Sequence, residues 1–450
     1  MHTREAWTAK LDSFDGAERA RALRELSVTG VAAPHAAAQV NMHLHSFFSY
    51  NARGCSPSHI AWQAHQAGFY AAGLCDFDVL DGVEEFLEAG LTLGLRVTVN
   101  LETRAYLREF AAAEINSPGE PGVIYIMGAG FTRRPAAGSP EAATLAALRA
   151  QAGQRNQDLV RRINPHMAGV TIDYAREVLP LSPGGCPTER HIVRAYVTKS
   201  GAVFPRVSDQ VAFWSGMLGK PHDEVARWLA APSAFEERVR ARLVKQGGVG
   251  YEAPTARTFP PVDDFVKWVL ACGAIPMATW LDGTSQGERD PLAMLKCLQS
   301  KGVVAANIVP DRNWNIADPA VKAVKTTKLR EFVEAAESLE LPLNIGTEMN
   351  RDGQPLVDDL EGAALRPYRD IFLRGAQIMV GHSILARYAE YGYAGAQARA
   401  DFGADVAARN AFFAAVGALP PLTVAPAERL KTMGPERALQ YIREAVQQGR

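Results

Sequence analysis

Seven short apolar runs, most of them followed by a segment with helical spacing, constrain this chain more than any other feature. The runs are 38–44 (AQVNMHL), 70–76 (YAAGLCD), 96–102 (RVTVNLE), 122–128 (GVIYIMG), 274–280 (AIPMATW), 303–309 (VVAANIV) and 341–347 (LPLNIGT). Helical segments stand at 56–68, 82–94, 263–273, 291–302 and 328–340. The first begins at Ser56-Pro57 and stops at Gly68, a start and a stop signal for a helix. Strands joined through helices lie parallel, because parallel neighbours need a crossover connection. No glycine-rich phosphate loop follows the first run. A closed β/α barrel is therefore expected, rather than an open nucleotide-binding sheet.

The rhythm breaks between about 139 and 250, where Ala, Arg, Leu and Gln recur at helical spacing and no parallel-type strand is legible. The fold class expected is α/β: a distorted seven-stranded TIM-like barrel. Its parts would be N-terminal helices in 1–37, a barrel in 38–131 and 263–375, a helical insertion in 132–262 between strands four and five, and a helical C-terminal extension in 376–450.

Bulk properties narrow the function classes. The chain has 450 residues, 47% hydrophobic and 22% charged, as a globular protein does. Its net charge of -1 gives no general attraction for nucleic acid or anionic membrane, so neither is an expected partner. The five cysteines are scattered and never spaced CxxC, which argues against a disulfide framework or a zinc knuckle and for reduced thiols. The first twenty residues hold no apolar signal core. The longest apolar stretch, 268–281, is broken by Gly273 and Pro276 and is too short to span a bilayer. A cytoplasmic location is the expectation, with oligomeric state left open.

In a β/α barrel, functional residues gather at the C-terminal ends of strands. The first run ends in His43 and His45. Residues two apart on a strand share a face, so the two imidazoles would project together. Later runs end in Asp76 and Asp78, Glu102, Tyr125, Thr279, Asn307, then Glu348 and Asn350. Two imidazoles with carboxylates suit one divalent ion: zinc, manganese or iron. Such an ion lowers the pKa of a bound water enough for attack near neutral pH.

The segments NMHLHS, GLCDFDVLDG, VNLE and LNIGTEMN resemble motifs of the PHP (polymerase and histidinol phosphatase) family. The resemblance covers about 38–130 and 263–350. It implies a distorted seven-stranded barrel and a phosphoesterase site of two or three metals. Under it, one ion's ligands fall on His43, His45, Glu102 and Glu348. The chain departs from the pattern elsewhere. Phe77 stands where the family has His after Asp, Tyr125 where a His ends the fourth strand, and Thr279 where a His precedes Pro. Glu348-Met349-Asn350 replaces Asp-x-His. The second and third ions lose most of their histidines, so a single-metal site is implied.

Positive groups near the strand ends could hold an anionic substrate: Arg53, Arg104, Arg312 and Arg351, with Asn350 and Tyr125 beside them. Asp76 is expected to support a ligand histidine or to accept a proton, a role Asp78 could share, while Arg53 or another arginine steadies developing negative charge. His191 and His382 are read as structural, and Trp62, Trp268 and Trp280 as core or site wall. The expected function is a metal-dependent hydrolase of a small anionic substrate, first a phosphate ester. Two alternatives stand beside it. One is a barrel without catalysis that binds a ligand or partner. The other is an amidohydrolase-like enzyme, against which the lack of histidine between 223 and 381 counts.

Overall fold

A computed structural model describes residues 3–29, 39–255 and 258–449. Residues 30–38, where the N-terminal segment was expected to pass into the first strand, lie outside the described residues. Two helices, α1 (Arg4–Lys10) and α2 (Gly16–Thr29), precede β1 (Val40–Leu44). Then follow α3 (Pro57–Gln66), β2 (Ala71–Phe77), α4 (Val83–Leu93), β3 (Arg96–Tyr106) and β4 (Val123–Ala129). A block of helices comes next: α5 (Pro140–Ile163), α6 (Glu189–Val203), α7 (Val207–Leu218), α8 (His222–Leu229) and α9 (Pro232–Leu243). The alternation resumes with α10 (Val262–Ala271), β5 (Ile275–Trp280), α11 (Pro291–Ser300), β6 (Ala305–Ile308), α12 (Asp311–Trp314), α13 (Pro319–Ser338) and β7 (Leu343–Ile345). Helices α14 (Arg369–Ala389), α15 (Ala396–Phe402), α16 (Val406–Ala418), α17 (Val424–Met433) and α18 (Pro435–Gln448) complete the chain.

One device starts many of these helices. Ser56, Ser139, Asp290 and Asp318 each accept a backbone N–H from the first turn, and proline follows each of them. The side-chain oxygen satisfies a donor that has no partner inside the helix, and proline has no such donor to lose.

The strands form one sheet in the order β1-β2-β3-β4-β5-β6-β7. It all but closes on itself through a parallel bridge between Leu44 and Glu348. Glu348 N donates to His43 O at 2.8 Å, and His45 N donates to Glu348 O at 2.9 Å. The expected all-parallel sheet needs correction, because β4 runs antiparallel to both β3 and β5. The reason lies in its connection. Residues 107–122 hold only the 3-10 turn Arg108–Phe110, with no crossover helix to carry the chain back to the start of the sheet.

Two buried apolar clusters organise the interior. The larger lies around the sheet, with Leu101, Ile126, Met277, Ala306 and Leu343 among its members. The smaller lies within the helical block and includes Ile163, Tyr196, Trp214, Phe235 and Leu243. Helix α5 links them: Leu145 and Leu148 belong to the first cluster, Leu159 and Val160 to the second. Trp62, Trp268 and Trp280 are buried in the larger cluster.

Helix α14 crosses the boundary expected at 375/376. A Cβ on Gly375 would stand 2.0 Å from Leu343 O, so glycine is what lets this helix approach β7 so closely. His382, on the same helix, is buried and accepts from Tyr393 N through Nδ1 at 3.0 Å. Its Nε2 then donates to Gly130 O at 3.1 Å. Burial lowers its pKa to about 4, so it is a neutral strut between β4 and the C-terminal helices. Among the described residues, no helix is long and apolar enough to cross a membrane.

Candidate metal centre

His43 and His45 lie at the end of β1, where the seam with β7 fixes their backbone. Glu102 comes from β3, in register with Phe77 of β2. These three side chains converge. Glu102 Oε2 is 3.4 Å from His43 Nε2 and 3.6 Å from His45 Nε2. One ligand atom from each lies within 4.8 Å of the others, and all three residues are buried. Among the described residues, neither Nε2 atom nor Glu102 Oε2 has a hydrogen-bond partner. Buried polar atoms are nearly always satisfied. Three bare ones aimed at a common point are the polar environment that a cation completes, and their N/N/O chemistry fits a divalent ion.

The other ring nitrogens are already engaged. Ser49 Oγ donates to Asp76 Oδ1 at 2.7 Å, and its lone pair faces His45 Nδ1 at 3.2 Å. The hydroxyl thus accepts from Nδ1–H, which leaves Nε2 bare for a ligand. His43 Nδ1 meets the amide of Asn307 at 3.0 Å, while Asn307 Oδ1 has no partner among the described residues. The same amide nitrogen donates to Ile308 O at 3.4 Å, so Asn307 fixes the orientation of the His43 ring and leaves its Nε2 turned toward Glu102.

Charge states follow from this packing. Burial, with His43 alongside, lowers the His45 pKa to about 3, so its ring is neutral. Burial also acts to lower His43, but Glu102 and then Glu348 outweigh it and raise the pKa. Burial raises Glu102 against the pull of His43. A proton on the His43–Glu102 pair therefore occupies the lone pairs that a cation would use.

Glu348 stands apart. Burial would raise its pKa, but Arg312, His43 and His45 together outweigh burial and lower it to about 2. Its Oε2 accepts from Arg312 Nη2 at 3.0 Å and from Gln354 Nε2 at 3.5 Å. It is not in the three-residue group; of the four expected ligands, three converge, and Glu348 stands beside them as a carboxylate–guanidinium pair with Arg312. Glu348 and Met349 have φ of 64° and 59°, a left-handed backbone that non-glycine residues seldom adopt.

Asp76 is not among the residues that line the cavity above this centre. It accepts from Ser46 N at 2.7 Å, from Ser46 Oγ at 2.6 Å and from Ser49 Oγ. Burial raises its pKa to about 6, against those hydrogen bonds. Asp78 does face the cavity, holds a hydrogen bond from Thr103 Oγ1 at 2.6 Å, and has φ of 56°. Burial raises its pKa too.

The cavity above this centre has a volume of about 530 Å³. Arg104, Arg312, Tyr125 and Asn350 line it. Arg53 and Arg351 do not. Arg53 is exposed on the loop after β1, and Arg351 is half exposed with Nη2 3.9 Å from Asp311 Oδ2. The positions where extra histidines are missing are filled. Phe77 stacks on His45, with centroids 4.9 Å apart and planes 7° from parallel. Thr279 is tied to the Tyr125 carbonyl and accepts from Asn116 Nδ2 at 2.9 Å.

Sequence reasoning missed the roof. Arg155, Arg190, Arg240 and Lys245 of the helical block line the cavity, as does Glu189. Glu189 binds Arg104 at 3.0 Å, Arg240 at 3.3 Å and Lys245 at 2.9 Å. Those attractions outweigh burial and hold its pKa well below the ordinary value. No motif marks these residues. Ser46 and Ser49 were better signposted, since they follow His45 within one short loop. His191 is buried and closes the first turn of α6, its Nδ1 accepting from Thr188 N at 2.9 Å, as a structural residue would.

Compared with family models and with curated proteins, the sequence matches none. Two solved structures are distantly similar in shape. One is an amidohydrolase from Chromobacterium violaceum solved with sulfate and no metal, with TM-score 0.49 and 16% identity over 74% of this chain and 96% of that one. The other is a candidate metal-dependent phosphoesterase from Bifidobacterium adolescentis, with TM-score 0.46 and 16% identity over 75% of this chain and 98% of that one.

Proposed function

We propose that this chain is a metal-dependent hydrolase of a small anionic substrate, a phosphate ester first, working with one divalent ion. The observation that carries this reading is the trio of bare, buried ligand atoms on His43, His45 and Glu102, of which His43 and Glu102 line a cavity and His45 stands directly behind Glu102. A divalent ion held there supplies a water acidic enough to attack near neutral pH. The chain's own residues do the rest. Asn307 and Ser49 keep both imidazoles turned with Nε2 inward. Asp78, a half-buried carboxylate in the cavity wall, accepts the proton of the attacking water. Arg312, paired with Glu348, lines the cavity and presents its guanidinium to the anion. Arg104 is paired with Glu120 and Glu189, so its charge in the cavity wall is already balanced.

The reading is tested by assaying a panel of phosphomonoesters and phosphodiesters with manganese, zinc or iron(II). Turnover should vanish with chelator and return with one kind of ion. It should also be lost in a His43→Ala, His45→Ala variant that keeps its fold. Turnover that survives chelation, or survives the double substitution, contradicts the reading. Stoichiometric ion binding without turnover of any ester favours the barrel as a ligand-binding protein. The observation on that side is that Asp76, a proton acceptor in the sequence reading, is saturated by two serines.

A further inference from the structure

A second cluster of ligating side chains lies outside the cavity, where the N-terminal helices meet the barrel. Asp12 follows α1, Cys55 sits in the loop after β1, and His59 lies in the first turns of α3. One ligand atom from each lies within 4.8 Å of the others. His59 Nδ1 is 2.7 Å from Asp12 Oδ2. Asp12 Oδ1 is already held by Ser56 N at 2.8 Å, which orients the carboxylate and leaves Oδ2 for the cluster. Gln63 approaches from the next turn of α3, its Nε2 3.1 Å from His59 Nε2 and 3.7 Å from Cys55 Sγ.

Access differs across the cluster. Cys55 is 1% exposed, while the side chains of His59 and Asp12 are 15% and 30% exposed. The thiol is closed to any sizeable substrate, which argues against a nucleophilic role for this cysteine, histidine and aspartate. A small ion reaches it past the two exposed partners. One sulfur, one nitrogen and one oxygen ligand suit a borderline-soft divalent cation, and three protein ligands leave a fourth position for water or for the oxygen of the Gln63 amide.

We propose that Asp12, Cys55 and His59 form a separate site for a zinc-like divalent cation, which fastens the N-terminal helices to the barrel. Binding replaces the thiol proton by a sulfur–metal bond, and the proton leaves to solvent. The site is independent of the proposed hydrolase centre, which contains no cysteine.

The test is cobalt(II) titration of the full chain after removal of metal. A thiolate-to-cobalt charge-transfer band is expected at one equivalent per chain. It should persist in the His43→Ala, His45→Ala variant and disappear in Cys55→Ser. His59→Gln and Asp12→Asn, which alter the exposed partners, should each weaken cobalt affinity by at least about tenfold. They serve where Cys55→Ser does not fold. Zinc should raise the melting temperature of the parent and of the His43/His45 variant. Absence of the charge-transfer band, or a band unchanged in Cys55→Ser and in both other variants, overturns the proposal and leaves the cluster a hydrogen-bonded strut.

Discussion

At the scale of single residues, the centre depends on which nitrogen of each imidazole is bare. Ser49 decides this for His45, because it donates to Asp76 and can then only accept from Nδ1–H. Ser49→Ala is expected to weaken ion affinity by roughly ten- to a hundredfold, the range for partners one layer behind a ligand. Competition against a chelator of known affinity checks this. Acid should act in the same direction. His43 holds its proton more firmly than free histidine, because Glu102 and Glu348 outweigh burial, and burial makes Glu102 hold its own. Ion binding must displace such protons, so affinity falls from alkaline to mildly acidic buffer, and calorimetry in two buffers should register proton release. The convergence of the two histidines was legible in the sequence because period-two spacing put both on one face. Glu348 was legible as a position but not as a role. Nothing in LNIGTEMN announces that Arg312, thirty-six positions earlier in the chain, takes its carboxylate.

At the scale of elements, the seam between β1 and β7 holds the histidines in place. Gly346 permits it: a Cβ there would stand 2.3 Å from His43 Cβ and 2.5 Å from His43 N. Gly346→Ala should push β1 aside, destabilise the fold by about 1–3 kcal/mol as overpacking does, and weaken ion binding as well. Denaturant titration and ion binding on the same sample check both. Most strands and helices could be read from their apolar runs and their Ser-Pro or Asp-Pro starts. The direction of β4 could not. An apolar run carries no sign of its direction, and only the missing crossover helix in 107–122 hinted at the reversal.

At the scale of the whole molecule, the helical block roofs the cavity and is tied to the barrel through Glu189. Arg104 belongs to β3, whereas Arg240 and Lys245 belong to the block or follow it, and one carboxylate serves all three. Glu189→Gln removes the shared charge, while Arg104 keeps Glu120 and Arg240 keeps Glu237, so unfolding should become easier by about 1–3 kcal/mol, the range for losing hydrogen bonds to a charged group. Composition showed that the block is helical, but contacts between residues so far apart in sequence leave no local pattern. Stability should also depend on pH through Asp358. Burial raises its pKa to about 7 in the fold, against about 3.9 for a free aspartate. The folded state keeps a proton that the unfolded chain releases. The resulting stabilisation is complete below about pH 3.9 and is lost as pH rises through about 7. Asp358→Asn, which cannot ionise, should therefore gain stability relative to the parent over that rise, by a few kcal/mol, as paired melts across pH would show. The central claim concerns one ion on three side chains, and anomalous diffraction from crystals grown with manganese tests it most directly. The account predicts one peak in contact with Nε2 of His43, Nε2 of His45 and the Glu102 carboxylate. A structure in which those atoms touch no ion while manganese saturates the crystal, or in which the ion sits on other residues of the cavity, would contradict it.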